Sequence, residues 1–150
     1  MHAKSYSAAF PLILSEDKTK ILLHLRQNTG YMDGYWDTAG GGHVDALESA
    51  TAAAVRECKE EVGIYVEAKD LNFVHLTHHY DQDEAFNYYH LYFEVLSFQG
   101  IPQIMEPHKM ADLKWVPLND LPDNLIPVRK LALSRWLDGI TYTETYQLSK

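Results

Sequence analysis

The sequence predicts an α/β sandwich with a mixed β-sheet. Three observations carry that reading: helical periodicity through residues 50–62, a second helical stretch over 124–138, and aromatic and β-branched runs before and between them. Residues 5–14 and 19–26 are apolar runs separated by Ser15-Glu16-Asp17-Lys18, which reads as a hairpin. A loop from Gln27 to Asp37 follows, then Gly40, Gly41 and Gly42. Residues 65–80 and 86–98 read as two further strands or strand pairs, joined by the polar Asp81-Gln82-Asp83-Glu84. A short strand is expected over 111–117. In the 124–138 helix, Leu131, Leu133, Trp136 and Leu137 are expected to face the core.

The helix after the glycines is the most informative segment. Asp45 or Ser49 can cap its start, and Gly63 is placed to end it in a left-handed conformation. Thr51, Ala54, Val55, Cys58 and Val62 recur at three- and four-residue steps and form an apolar stripe. Glu57, Glu60 and Glu61 fall within roughly one third of the circumference, on a separate face. Like charges three and four residues apart cost a helix roughly 0.2–0.5 kcal/mol per pair. Glu60 and Glu61 also lie in the last turn, where the macrodipole favours cations. Two readings are open. A divalent cation removes both costs, since hard ions prefer carboxylate oxygens; alternatively Arg56 and Lys59 partly neutralise a solvated acidic face. Three successive glycines beside the acids let a ligand approach the backbone closely.

Residues 42–64 resemble the Nudix box, G-x5-E-x7-R-E-U-x-E-E-x-G-U with U bulky and apolar. Gly42, Glu48, Arg56, Glu57, Cys58, Glu60, Glu61, Gly63 and Ile64 fill every specified place, Cys58 serving as a small hydrophobe. Trp36 and the glycine run resemble the family's W-x-x-P-G-G lead-in, with Ala39 in place of proline. Glu106-Pro107-His108-Lys109, then Leu113-Lys114-Trp115-Val116-Pro117-Leu118 and Leu121-Pro122, resemble the final strand and turn of many bacterial members. The likeness spans roughly residues 5–138 and points to MutT-like Nudix hydrolases with the Nudix-type α/β/α sandwich.

The resemblance implies Mg2+- or Mn2+-dependent hydrolysis of a nucleoside diphosphate linked to another group. Carried over by position, Glu57, Glu60 and Glu61 bind metal or activate water, the Gly41 carbonyl adds a ligand, and Glu106 is a further metal ligand. Arg56 orients Glu57, with Glu57, Arg56 and Glu60 forming the catalytic set, and Glu48 acts in the outer shell. Gly40, Gly42, Trp36 and Tyr31 are the expected substrate contacts. The simplest substrate is a nucleoside or deoxynucleoside triphosphate cleaved to monophosphate and pyrophosphate. The alternatives are a dinucleoside polyphosphate or nucleotide-sugar hydrolase, or a metabolite-binding module without catalysis. Tyr80, sixteen residues beyond Ile64, fits the dinucleoside class, whereas the proline expected in many ADP-ribose hydrolases is missing.

Composition sets the remaining expectations. At 150 residues the chain predicts one domain over 1–150, with a core of about 5–138 and a short polar C-terminal tail. Cys58 is the single cysteine, which excludes an internal disulfide and a cysteine zinc cluster. His75 and His79 share a strand face while His78 points away, a poor arrangement for zinc. No apolar run approaches the roughly 20 residues of a membrane span, and the first residues lack a signal-peptide h-region, so a cytoplasmic monomer or homodimer is expected. No basic tract suggests nucleic acid. With a formal net charge of −8, bound metal must supply the attraction for a phosphate compound. Of the tyrosines and phenylalanines, Tyr88 and Tyr92 alternate with Tyr89 and Phe93, so one pair belongs to the core and the other can border a cleft.

Overall fold

The structure, a computed structural model, describes residues 1–81 and 86–147. Its strands are β1 (Lys4–Ile13), β2 (Lys20–Arg26), β3 (Trp36–Thr38), β4 (Gly42–His43), β5 (Leu71–Asp81), β6 (Phe86–Val95), β7 (Met110–Pro117) and β8 (Tyr142–Gln147), and its helices are α1 (Ala50–Val62) and α2 (Pro127–Leu137). A five-stranded mixed sheet has the order β4-β1-β6-β5-β8, with β1 parallel to β6 and β5 parallel to β8. A second, antiparallel sheet has the order β3-β2-β7. The predicted fold class therefore holds.

Three details depart from the sequence reading. The turn at Ser15–Lys20 closes as expected, with Ser15 N bonding Lys20 O at 2.9 Å, yet β1 and β2 then diverge into different sheets. Residues read as a polar tail form β8, whose Tyr142-Thr-Glu-Thr-Tyr146 alternation suits a strand laid along β5. In α2 the buried residues are Arg129, Ala132 and Leu133, and Leu137, four residues past Leu133 but the last residue of the helix, is 47% exposed. Of the polar β5–β6 connection, Gln82, Asp83 and Glu84 lie outside the described residues.

α1 packs against one face of the large sheet, where Ala53 and Ala54 meet Ala9 and Phe93. Lower on the same helix, Cys58 and Val62 join Leu22, Ala39 and Ile13. The opposite face of the large sheet meets the small sheet and α2 through Ala8, Phe10, Leu12, Leu23, Tyr92 and Leu133. Tyr92 and Phe93 are both buried, so β6 is covered on both faces there, while Phe86–Tyr89 at its start are half-buried.

Ser49 is the N-cap of α1: Ala52 N donates to its hydroxyl at 3.1 Å. Gly63 ends the helix at φ 70°, with Gly63 N and Ile64 N bonding back to Lys59 O and Cys58 O. Ser49→Ala is expected to lower stability by about 1 kcal/mol, read from the midpoint of urea unfolding.

Candidate active site

The acidic helix does not present its three carboxylates as one open cluster. Arg56 stands among them. Its Nε and Nη2 bond the two oxygens of Glu48 at 2.7 and 3.0 Å, Nη1 bonds Glu57 Oε1 at 2.7 Å and Glu60 Oε2 at 3.3 Å, and Nη2 also bonds the His43 carbonyl at 3.1 Å. One guanidinium thus ties the helix to β4 and to the loop before it. The bidentate pair with Arg56 holds the Glu48 carboxyl down at about 2.

Glu57 is placed differently. Its carboxylate lies against the backbone of Gly42, where a Cβ would sit 2.5 Å from Glu57 Cδ, so any side chain there would push the carboxylate aside. Burial pushes its pKa up, Arg56 pulls it down, and the charges of Glu61 and Glu60 push it up again, to about 7.

Glu61 turns inward. It is a buried residue on the packed side of α1, and the apolar stripe expected from sequence is correspondingly rotated: Ala53, Ala54, Cys58 and Val62 are buried, whereas Thr51 and Val55 are half-buried. Glu61 Oε1 accepts the Gly40 amide at 3.0 Å and lies 3.1 Å from His24 Nδ1. With the imidazole protonated the His24 contact is an ion pair, and its alignment is not that of a hydrogen bond. His24 faces α1 because it shares a β2 face with Leu22. Burial opposes its charge, but the carboxylates of Glu61 and Asp37 outweigh burial and hold its pKa above the usual histidine value.

Glu60 is the exposed member, with its side chain 59% accessible. Glu106 lies beside the C-terminal end of α1, since Met105 N bonds Glu61 O at 3.3 Å and Gln103 N bonds Val62 O at 3.0 Å. Gly41 is wedged against Phe10. Among the described residues, no three His, Cys, Asp or Glu side chains stand at metal-holding distance. The donor types nevertheless fit a hard divalent cation: carboxylate oxygens of Glu57, Glu60 and Glu61 come from one helix turn, and the missing Cβ of Gly42 is the space the Glu57 carboxylate fills.

The expected substrate residues separate. Gly40 and Gly42 touch Glu61 and Glu57 as described. Tyr31 is 55% exposed, with the Arg26 guanidinium 5.4 Å from its ring centre. Trp36 packs partly buried against the main core, and its backbone bridges to Asn124 and Ile126. Tyr80 rests 5.9 Å from Tyr146. The three histidines have separate polar contacts: His75 with Ile140 O, His78 with Asn87 and His79 with Thr145.

Two buried groups beside the site went unmarked in the sequence reading. One is His24, a histidine inside the apolar run of β2. The other is Asp37, whose Oδ1 accepts Arg129 Nε at 2.9 Å and whose Oδ2 lies 3.4 Å from Arg26 Nη1. Arg129 Nη1 continues to Tyr92 Oη at 3.1 Å, and the guanidinium carbon lies 3.6 Å above the Phe10 ring. A polar residue among the leucines of β2 is the signal that could have flagged His24; the three-residue β3, Trp-Asp-Thr, gives none for Asp37.

Comparison with known proteins places this arrangement. The NUDIX domain model matches residues 5–137. A "Putative 8-oxo-dGTP diphosphatase" of Bacillus subtilis (strain 168) is 35% identical over 131 residues, 87% of this chain and 79% of that protein. The crystal structure of a MutT NUDIX hydrolase from Burkholderia pseudomallei matches with a TM-score of 0.76 at 28% identity, over 87% of this chain and 97% of that one. The MutT protein from Methanosarcina mazei Go1 shares the fold, with a TM-score of 0.75 at 18% identity over 92% and 96%. With its box residues gathered around Arg56 and the family model spanning nearly its whole length, the chain belongs to the Nudix hydrolase family.

Proposed function

We propose that this Nudix pyrophosphohydrolase cleaves a nucleoside or deoxynucleoside triphosphate to the monophosphate and pyrophosphate, using Mg2+ or Mn2+. The observation that carries the reading is Glu57, a carboxylate tuned to about 7 and held between Arg56 and the Gly42 backbone. A group with that pKa can take a proton from water near neutral pH. The Bacillus subtilis relative, named for a deoxynucleoside triphosphate, supports the same substrate class.

In this reading Glu57, Glu60 and Glu61 supply oxygens to the cation, with the Gly41 carbonyl and Glu106 as further ligands. When bound, a divalent cation neutralises phosphoanhydride charge and lowers the pKa of water. Arg56 keeps the Glu57 carboxylate oriented, and Glu48 keeps Arg56 in place. His24 and the Gly40 amide occupy Glu61 Oε1 and so fix the direction of its other oxygen. The backbone at Gly40 and Gly42 borders the phosphates, with Tyr31 and Trp36 as the aromatic contacts on the β2–β3 side.

The test is pyrophosphate release from canonical and oxidised triphosphates, with nucleotide sugars, ADP-ribose and dinucleoside polyphosphates in parallel, ranked by kcat/KM. The proposal expects triphosphates to rank first; a nucleotide sugar or dinucleoside polyphosphate ranking first overturns it. Gly42→Ala should cut turnover about 100-fold with unchanged far-UV circular dichroism, because the new methyl displaces the Glu57 carboxylate. Cation affinity should also follow pH. Below about 7 Glu57 is protonated and cannot ligate, so Mn2+ affinity of the nucleotide-free protein, by calorimetry, should fall about tenfold from pH 8 to pH 6.

A further inference from the structure

The segment that carries Glu106 is held from two sides. On the α1 side, Gln103 N and Met105 N bond the carbonyls of Val62 and Glu61. Past Glu106 the chain folds into a turn in which Lys109 N and Met110 N both bond Glu106 O, at 3.0 and 3.1 Å. Within 103–109 Glu106 is half-buried, whereas every other residue is exposed. The turn directs this residue toward the protein and the rest toward water.

The far side of the turn is gripped by two residues that the cation site does not use. Gln27 N bonds Lys109 O at 3.0 Å, Gln27 Nε2 bonds Pro107 O at 2.9 Å, and Asn28 Nδ2 bonds His108 O at 2.9 Å. Three consecutive carbonyls thus accept from one dipeptide. The register between β2 and β7 ends at Arg26 and Met110, so these side-chain amides extend the grip where the sheet stops.

Residue type matters at both positions. Asn28 has φ 55°, in the left-handed region where asparagine settles more readily than most residues other than glycine, and its short amide reaches His108. Gln27 is one methylene longer and spans from its backbone contact at Lys109 back to Pro107. The base of this grip is itself fixed. Asp33 accepts Thr29 N, the Thr29 hydroxyl at 2.6 Å and Gly30 N at 2.9 Å, while Arg26 Nε donates to Tyr31 O at 2.8 Å. Donors mounted on a loop closed on itself hold their acceptors in one place.

We propose that Gln27 and Asn28 are positioning residues for Glu106, clamping the 106–109 turn so that the Glu106 carboxylate stays beside the last turn of α1, where Glu60 and Glu61 lie. The inference rests on the cation reading above, in which Glu106 is a ligand, and adds the two residues that keep it there. Partners of this kind orient a metal ligand without being one.

The experiment is titration of the nucleotide-free protein with Mn2+, followed by electron paramagnetic resonance. It compares wild type, the clamp variant (Gln27→Met with Asn28→Gly), Glu106→Gln, and all three substitutions together. Methionine keeps the length of glutamine without its donors, and glycine keeps the left-handed backbone. The clamp variant is expected to bind Mn2+ about fivefold more weakly with unchanged far-UV circular dichroism, and to add less than about twofold once Glu106 is already glutamine. Exchange of the Lys109 and Met110 amides should quicken about fivefold, and unchanged exchange overturns the clamp. Wild-type affinity in the clamp variant also overturns it and leaves the cation reading intact. So does the same loss persisting in the Glu106→Gln background, because the two residues then act somewhere other than Glu106. Wild-type affinity in Glu106→Gln removes Glu106 from the ligand set and the clamp with it; no bound Mn2+ in the wild type takes down the cation reading and the clamp together. Gln27→Met alone, which leaves Asn28 untouched, keeps the test open if the paired variant does not fold.

Discussion

Glu57→Gln should lower kcat about 10²- to 10⁴-fold without destabilising the protein. Glutamine keeps the shape that fits against Gly42 and leaves Arg56 its bidentate pair with Glu48 and its contact with Glu60. What is lost is an ionisable oxygen. The folded pKa of Glu57, about 7, is raised from 4.5, so the folded protein binds a proton more tightly than the unfolded chain does. The resulting stabilisation is complete below the unfolded pKa and is lost as pH rises through about 7. At pH 8 the ionised group therefore weighs against the fold of the metal-free protein, and the neutral amide should leave the thermal midpoint unchanged or slightly higher. An inactive variant that is no less stable separates a reacting group from a structural one. Retained turnover, or a clear fall in the midpoint at pH 8, would show that Glu57 is structural.

Arg129→Met is expected to have the largest effect on stability. The residue is 5% exposed and pairs with Asp37, itself 5% exposed. Removing one member of a buried ion pair leaves the other uncompensated, at a cost of about 3–5 kcal/mol. Tyr92 Oη loses a partner as well, and Phe10 loses the cation above its ring. For a chain of this size the midpoint should fall roughly 6–20 °C. The Asp37→Asn, Arg129→Met double variant should recover part of the loss, because the stranded charge is gone. A single variant within about 0.5 kcal/mol of wild type in urea would show that Arg26 alone suffices for Asp37.

What could be read in the sequence was local. Ser49, Gly63 and the Arg56–Glu57 pair act within or at the ends of one helix, and Glu48 lies in the loop just before its N-cap, near enough in sequence for Arg56 to reach it. The same locality leaves the direction of the Glu61 side chain open. Three- and four-residue spacing gathers it with Glu57, but its direction is decided by His24 and the Gly40 amide, which reach it from β2 and the glycine loop. Asp37 and Arg129 are 92 positions apart, and no periodicity relates them. β8 was missed for a different reason: its Tyr and Thr alternation was visible, but a strand with polar residues at an edge has the composition of a tail. Tyr88 and Tyr92 share a face as alternation requires, yet Tyr92 is buried against Phe10 and Arg129 whereas Tyr88 is half-buried.

The central claim is that Glu57, clamped by Arg56 and pressed on Gly42, would help hold a divalent cation beside the phosphoanhydride that water cleaves. Titration of the nucleotide-free protein with Mn2+, followed by electron paramagnetic resonance, tests it most directly. The account predicts bound Mn2+ in the wild type at pH 8, with affinity reduced about tenfold or more in Glu57→Gln. Equal affinity in the two proteins, or no bound Mn2+ in the wild type, would contradict it.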